Sequence, residues 1–123
     1  MATQAPAEVT PNGIINRHTI VLQWGGVNKI VQGDTCTADQ SVGGAGLKSV
    51  QIEGNFGGGT VAIQGSNDGV TFETLLDASN SAISKTSAAL VQILTPSLWI
   101  QPVLTGGNGS TSLMITIIAL RQF

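Results

Sequence analysis

The chain has 123 residues, of which 10% are charged, and its five basic and seven acidic residues give a net charge of -2. This length suits one domain with a single core, and the charged fraction lies well below the average of about 25% for soluble proteins. The charges form no basic cluster, which argues against a nucleic-acid-binding surface. Low charge also means weak repulsion between copies, so the composition favours a subunit whose surface is partly covered by partners.

Residues 1–18 predict an extended N-terminal arm, because they hold two of the four prolines and little periodic hydrophobicity. We expect Ile14 and Ile15, near the end of this arm, to insert into a groove on a neighbouring copy of the chain or on a shell of other subunits. The arm lacks the basic start and apolar stretch of a signal peptide, and no apolar run in the chain is long enough to cross a bilayer. We therefore expect a protein made in the cytoplasm that does not enter a membrane.

Residues 19–123 predict an all-β domain. Short runs rich in Val, Ile, Thr and Leu alternate with Gly, Asn, Asp and Ser roughly every 8–12 residues, and no segment has the apolar pattern of an amphipathic helix. The pattern is typical of an antiparallel β-sandwich or a jelly-roll-like barrel of about 8–9 short strands. The predicted strands are 19–24, 27–31, 35–38, 47–56, 60–65, 71–76, 88–94, 98–104 and 112–121.

Glycine-rich segments between the predicted strands indicate tight turns. Residues 57–59 and 65–69 are expected to join three successive strands into a meander, and residues 106–109 to join the last two strands as a hairpin. Glycine suits these positions because it reaches positive φ without a steric penalty. These glycines precede strands and not helices, so they do not predict a phosphate-binding loop.

The last predicted strand is apolar on both faces over most of its length. An antiparallel strand usually leaves one face in water, so this pattern predicts contact with a second subunit, and we expect a homo-oligomer with a trimer as first choice. Its candidate partner-binding residues are Leu113, Ile115 and Ile117. Trp24 and Trp99 are further candidates, because an indole ring suits either a core or an interface.

No combination of residues in the sequence is typical of catalysis. The one histidine, His18, lies between the arm and the first strand, and no serine lies in a Gly-x-Ser-x-Gly turn, so we expect no enzymatic activity. Cys36 is the only cysteine, which excludes an intrachain disulfide and a Cys/His zinc site within one chain. Glu53, Asp68, Glu73 and Asp77 could supply paired carboxylates or a calcium site, but their spacing is not diagnostic of either, and turn formation and solvent-facing strand positions are sufficient reasons for them. We expect neither a metal nor a cofactor.

Two stretches, VQIEGNFGGGTVAIQGSNDGVTF at 50–72 and IQPVLTGGNGSTSLMITI at 100–117, resemble small virion proteins of tailed bacteriophages. In those proteins a strand, a Gly-rich turn and a strand ending in Gly-Ser-x-Asp-Gly are followed by an aromatic residue. The resemblance implies a β-sandwich on the virion surface that decorates or cements the capsid by binding across neighbouring major capsid subunits, as trimers at local symmetry axes. It also allows a small head–tail or tail component.

A second resemblance involves only residues 66–72, SNDGVTF. This segment is similar to the Ser-x-Asp-Gly-x-x-aromatic hairpin of discoidin-like, galactose-binding jelly rolls, which implies a carbohydrate-binding module. The hairpin itself is a sufficient reason for the motif, and the chain has no tyrosine to build an aromatic sugar site.

Overall fold

A computed structural model of the chain describes residues 2–8, 19–42 and 47–120, and these residues form eleven β-strands and no α-helix. The prediction of an all-β sandwich is confirmed. No helix long and apolar enough to cross a membrane occurs in these three ranges. The strands are β1 (Thr3–Gln4), β2 (Ala7–Glu8), β3 (Thr19–Trp24), β4 (Thr35–Cys36), β5 (Leu47–Asn55), β6 (Thr60–Ser66), β7 (Glu73–Thr74), β8 (Ser84–Lys85), β9 (Ala89–Ile93), β10 (Trp99–Thr105) and β11 (Ser112–Leu120).

The strands form two main sheets. The five-stranded sheet has the order β2-β3-β11-β5-β9 and is antiparallel throughout. The four-stranded sheet has the order β10-β6-β7, and β8 also pairs with β6. A separate parallel pair joins β1 to β4. The longest strands, β5 and β11, have nine residues each and lie side by side near the middle of the five-stranded sheet.

The two main sheets pack their inward faces around one hydrophobic core. Successive side chains in a strand point to opposite faces, so every second residue of β11 and of β6 lies in this core. Trp24 ends β3 with no exposed surface, and its indole Nε1–H donates to the carbonyl oxygen of Thr37 at 3.0 Å. The fully buried side chains include Leu22, Trp24, Ile30, Val42, Val50, Ile52, Ile63, Ile83, Ile100, Leu113, Ile115 and Ile117.

Two glycine-rich turns that we predicted as hairpins instead carry the chain from one sheet to the other. After β5, the Gly59 N–H donates to the Phe56 carbonyl oxygen at 2.8 Å, and the chain enters β6 in the opposite sheet. Residues 106–109 likewise connect β10 to β11 across the sandwich. The glycines do supply positive φ, 56° at Gly57 and 71° at Gly106. A tight turn reverses the chain but does not decide which sheet the next strand joins, so the predicted pairings were wrong.

Of two other predictions about the strands, the pairing across residues 65–69 is confirmed and the strand at 27–31 is not. The predicted pairing between the strands around residues 65–69 is confirmed, because Gln64 is the register partner of Thr74 in β6 and β7. The predicted strand at 27–31 is absent. Only Ile30 pairs there, in an isolated bridge in which its N–H and carbonyl each bond Leu113 at 2.9 Å.

Residues 2–8, in the first part of the predicted extended arm, form two short strands that pair with the rest of the described chain. β1 forms the parallel pair with β4, and β2 forms the edge strand of the five-stranded sheet through its pairing with β3. The Asp34 carboxylate, 4% exposed, accepts hydrogen bonds from the Ala2 N–H at 2.9 Å, Gln4 Nε2 at 3.1 Å and the Val31 N–H at 3.1 Å. An extended segment with free backbone groups can extend a sheet edge, and Asp34 fixes it there.

We expect Asp34→Ala to lower the free energy of unfolding by about 1.5–3 kcal/mol, because three donors lose a charged acceptor. Burial opposes ionisation of Asp34, but the hydrogen bonds from Val31, Gln4 and Ala2 outweigh it and lower the pKa below the ordinary 3.8. With a depressed folded-state pKa, the stabilisation is complete above the ordinary value and is lost as the pH falls through the folded-state value.

Urea unfolding of the wild type and Asp34→Ala at about pH 7 and about pH 2.5 measures this effect, and the difference should shrink at the acidic pH. Asp34→Asn is the matched control, since it keeps one acceptor oxygen and should lose less stability at neutral pH. A stability difference that is the same at both pH values would contradict the role of the ionised carboxylate.

Candidate interaction surface

The five-stranded sheet has one face in the core and one face outside the sandwich, which we call the outer face. Residues of β3, β11, β5 and β9 that alternate with core residues form it, and the register aligns them in rows across the strands. The outer face consists of Thr19, Val21, Gln23, Leu47, Ser49, Gln51, Glu53, Leu90, Gln92, Ser112, Met114, Thr116, Ile118 and Leu120.

One end of the outer face is apolar and exposed. Leu47, Ile118 and Leu120 form this apolar end, and their side chains are 49%, 41% and 40% exposed. Leu47 and Leu120 are register partners, and Ile118 lies two residues earlier on the same side of β11. With Lys48, Ser49 and Gln92 they line a shallow depression of about 370 Å³. The solvent side of an antiparallel sheet usually carries polar residues, so the apolar end departs from the usual pattern.

The rest of the outer face is polar but almost without charge. Glu53 is the one charged residue among the outer-face residues, and it lies at the end opposite the apolar end. Lys29 lies beside it, with Nζ 3.7 Å from the Met114 sulfur. Between the two ends are amides and hydroxyls, including Gln23, whose Nε2 donates to Thr116 Oγ1 at 3.2 Å. The outer face therefore offers hydrogen-bonding and apolar groups with little electrostatic repulsion.

Lys48 lies between Leu47 and Ser49 in β5 and takes part in the lining of the depression at the apolar end. It is 4% exposed, and burial lowers the pKa of its ammonium group below the ordinary 10.5. Its neighbours in the register are Ala119 and Ile93, both of which belong to the core. The lysine therefore adds very little charged surface to the apolar end.

The four-stranded sheet has its own outward face, formed by β6 and β10, which we call the second face. The inward residues of these strands are buried, so the alternate residues lie outside. Gln101 Nε2 donates to Gln64 Oε1 at 3.1 Å across the two strands. The second face is uncharged and consists of Thr60, Ala62, Gln64, Trp99, Gln101, Val103 and Thr105.

Trp99 lies at one end of the second face and is half-buried. The turn that follows β6 covers part of its indole ring, since a Cβ placed on Gly69 would lie 3.0 Å from Trp99 Nε1. The ring therefore supports this turn and keeps part of its surface accessible. Among the candidate residues within ranges 2–8, 19–42 and 47–120, it is the one with part of its surface accessible to a partner.

The turn at residues 66–72 is built around Asp68. One of its carboxylate oxygens accepts hydrogen bonds from the Val70 N–H at 2.8 Å, the Thr71 N–H at 2.9 Å and Ser66 Oγ at 2.7 Å. The bonds from Val70 and Thr71, followed by that from Ser66, lower the pKa of Asp68 to about 2. The Ser-x-Asp-Gly motif is thus explained by the conformation of the turn.

Four of the partner-binding candidates lie in the core. Each has at most 1% of its surface exposed, which places it between the sheets and out of reach of a partner. Both sides of β11 are apolar as predicted, but packing placed the candidates on the inward side and left Ile118 and Leu120 outside. The four residues are Trp24, Leu113, Ile115 and Ile117. Ile14 and Ile15 lie outside the described residues, as does His18.

The described residues offer no cluster for metal binding, since no three His, Cys, Asp or Glu side chains among them are close enough to hold an ion. Burial raises the pKa of the half-buried Cys36 thiol to about 12, and the charge of Asp34 adds to this effect. A thiol with so high a pKa is a poor nucleophile at neutral pH.

Comparisons of the chain with protein-family models, with curated proteins and with solved structures find no match. We therefore infer function from the fold and from the chemistry of its two outward faces.

Proposed function

We propose that the protein is a non-enzymatic structural subunit of a bacteriophage virion, which decorates or cements the capsid by binding across neighbouring major capsid subunits. The observation that carries this proposal is that both broad faces of the sandwich are almost uncharged. A subunit that bridges others needs contact surfaces on more than one side, and interfaces are depleted in charged residues at their centres. The resemblance of residues 50–72 and 100–117 to small virion proteins directs this reasoning to phage particles.

The second face is the one that we assign to the capsid. Trp99 and Val103 supply apolar area, and Gln64 and Gln101 supply amides that hydrogen-bond to a neighbouring surface. Apolar area removed from water contributes about 25 cal/mol per Å², so contacts of standard size strengthen a shell without chemical bonds. Since the second face has no charge, capsid binding should change little with salt concentration.

The test uses particles that lack this protein, to which purified protein is added. We expect Val103→Glu to weaken binding at least about tenfold, because the contact would bury an unpaired charge. Val70→Glu is the matched control, since Val70 is 82% exposed and lies on neither face. Circular dichroism would establish that both variants fold.

Particles with and without bound protein should also differ in the temperature at which they release their genome. Equal release temperatures would remove the cement role, and wild-type binding by Val103→Glu would show that the second face is not the capsid contact.

A further inference from the structure

Residues 108–111, in the connection between β10 and β11, form a turn around the side chain of Asn108. The Ser110 N–H donates to Asn108 Oδ1 at 2.8 Å, and the Asn108 N–H donates to Thr111 Oγ1 at 2.9 Å. Asn108, Gly109 and Ser110 are exposed to solvent, whereas Thr111 is 2% exposed. The turn therefore holds an exposed side-chain amide in one position, with a buried threonine as its anchor.

We propose that this turn makes Asn108 a site of spontaneous deamidation, through attack of the Gly109 backbone nitrogen on Asn108 Cγ. The new C–N bond closes a five-membered succinimide, and the side-chain nitrogen leaves as ammonia with the proton of the Gly109 N–H. Water then opens the ring at either of its two carbonyls and leaves aspartate or isoaspartate at position 108. The net change replaces an amide by a carboxylate, with one water consumed and one ammonia released, so the reaction needs no reagent besides the solvent.

The contacts of the turn favour each part of this reaction. The ring of atoms that the Ser110–Asn108 hydrogen bond closes contains both Asn108 Cγ and the Gly109 nitrogen, which keeps the electrophile and the nucleophile beside each other. Negative charge develops on Oδ1 during the attack, and the Ser110 N–H already donates to that oxygen. No described residue accepts a hydrogen bond from the Gly109 N–H or from Asn108 Nδ2, so the attacking nitrogen and the departing ammonia are not held back.

The turn at Asp68 and Gly69 has the opposite arrangement. An aspartate that precedes glycine can form the same succinimide, with water as the leaving group. The Gly69 N–H, however, donates to Ser66 Oγ at 2.9 Å, and three hydrogen bonds hold one oxygen of the Asp68 carboxylate. Because its pKa is about 2, Asp68 is ionised at neutral pH, and a carboxylate anion is a poor electrophile. The contrast between the two turns predicts that Asn108 reacts in the folded protein and that Asp68 does not.

Deamidation of Asn108 adds a negative charge just beyond Thr105, the last residue of β10 and one end of the uncharged second face. The charge of the protein at this end therefore changes with age. The proposal does not depend on the capsid contact, because the reaction takes place within one chain in solution.

Peptide mapping by mass spectrometry tests the proposal on the purified chain after storage in warm, mildly alkaline buffer. Mapping assigns the products to single residues, and so separates Asn108 from the other Asn-Gly pair, residues 12–13, which lies outside the described residues. We expect Asn108 to be converted at least as fast in the folded protein as in the chain unfolded by guanidinium chloride. Asp68 should form isoaspartate only in the unfolded chain.

Gly109→Ala is the matched variant, because it keeps the Asn108 amide and changes only the residue that supplies the attacking nitrogen. Gly109 lacks a positive φ and has no atom within 4 Å of an added Cβ, so this variant should fold normally. Its methyl group crowds the attacking nitrogen, and conversion of Asn108 should be several-fold slower. An Asn108 that stays intact in the folded protein, that reacts clearly more slowly there than in the unfolded chain, or that reacts at an unchanged rate in Gly109→Ala would overturn the proposal.

Discussion

Trp24→Ala should lower the free energy of unfolding by about 3–5 kcal/mol, the range for removing a large aromatic side chain from a core. Trp24 has no exposed surface and belongs to the core cluster between the sheets. Its removal leaves a cavity that rigid neighbouring strands cannot close, and it deprives the Thr37 carbonyl of its donor. Chemical denaturation followed by circular dichroism measures the loss.

Two further variants separate packing from hydrogen bonding at this position. Trp24→Phe keeps most of the ring but removes the indole N–H, so it should cost about 1–3 kcal/mol. Val27→Ala, at a side chain that is 91% exposed, should change stability by less than about 0.5 kcal/mol. If Trp24→Ala were as mild as Val27→Ala, the indole would not lie in the core.

Gly54→Ala should destabilise the fold by about 3 kcal/mol or more. Gly54 has a φ of 117°, and a Cβ at this position would overlap the backbone carbonyl oxygen of Ser112 in the central strand β11. Backbone cannot move aside as a flexible side chain can, so the pairing of β5 with β11 must shift. Thermal unfolding should show a large fall in Tm. Hydrogen exchange, measured separately, should show faster exchange of the backbone amides in β11.

Two glycines serve as matched controls for Gly54. Gly58 has a φ of 83° but no atom within 4 Å of an added Cβ, so Gly58→Ala should cost only the backbone strain, about 1–2 kcal/mol. Gly109 has neither a positive φ nor a close neighbour, so Gly109→Ala should be nearly neutral. The three variants should therefore rank in this order, and a Gly54→Ala variant no worse than Gly58→Ala would contradict the proposed clash.

The sequence predicted the long strands well because they carry several periods of alternation. The bounds of β3 match the prediction, and β5, β6, β10 and β11 agree within one residue at each end. The two-residue strands β1, β2 and β8 were missed, because two residues contain no period to detect. Their pairing depends on partners distant in sequence and, near β1, on the position of Asp34.

The candidate surface was harder to predict than the strands. The sequence drew attention to the last strand, but both of its sides carry large apolar residues, so its own pattern was a weak guide to which side meets the core. That choice depends on the neighbours of β11, since Ile117 lies in the row of Leu22 and Val50, whereas Ile118 lies in the row of Ser49. Polar residues of β3, β5 and β9 mark the outward side, as Ser112 and Thr116 do on β11, and they become informative once the register is known.

The place of β11 between β3 and β5 has a consequence for biogenesis. These strands are far apart in sequence, yet β11 is the register partner of both. Until the ribosome has released residues 112–120, β3 and β5 each keep an unpaired edge, and such edges readily pair with the wrong chain. Pairings over this sequence distance also form slowly, on the scale of about milliseconds to seconds. Newly made chains therefore pass through an interval in which neighbouring chains on a polysome can pair with these open edges. The edges of β3 and β5 are closed to such pairing only when β11 inserts between them.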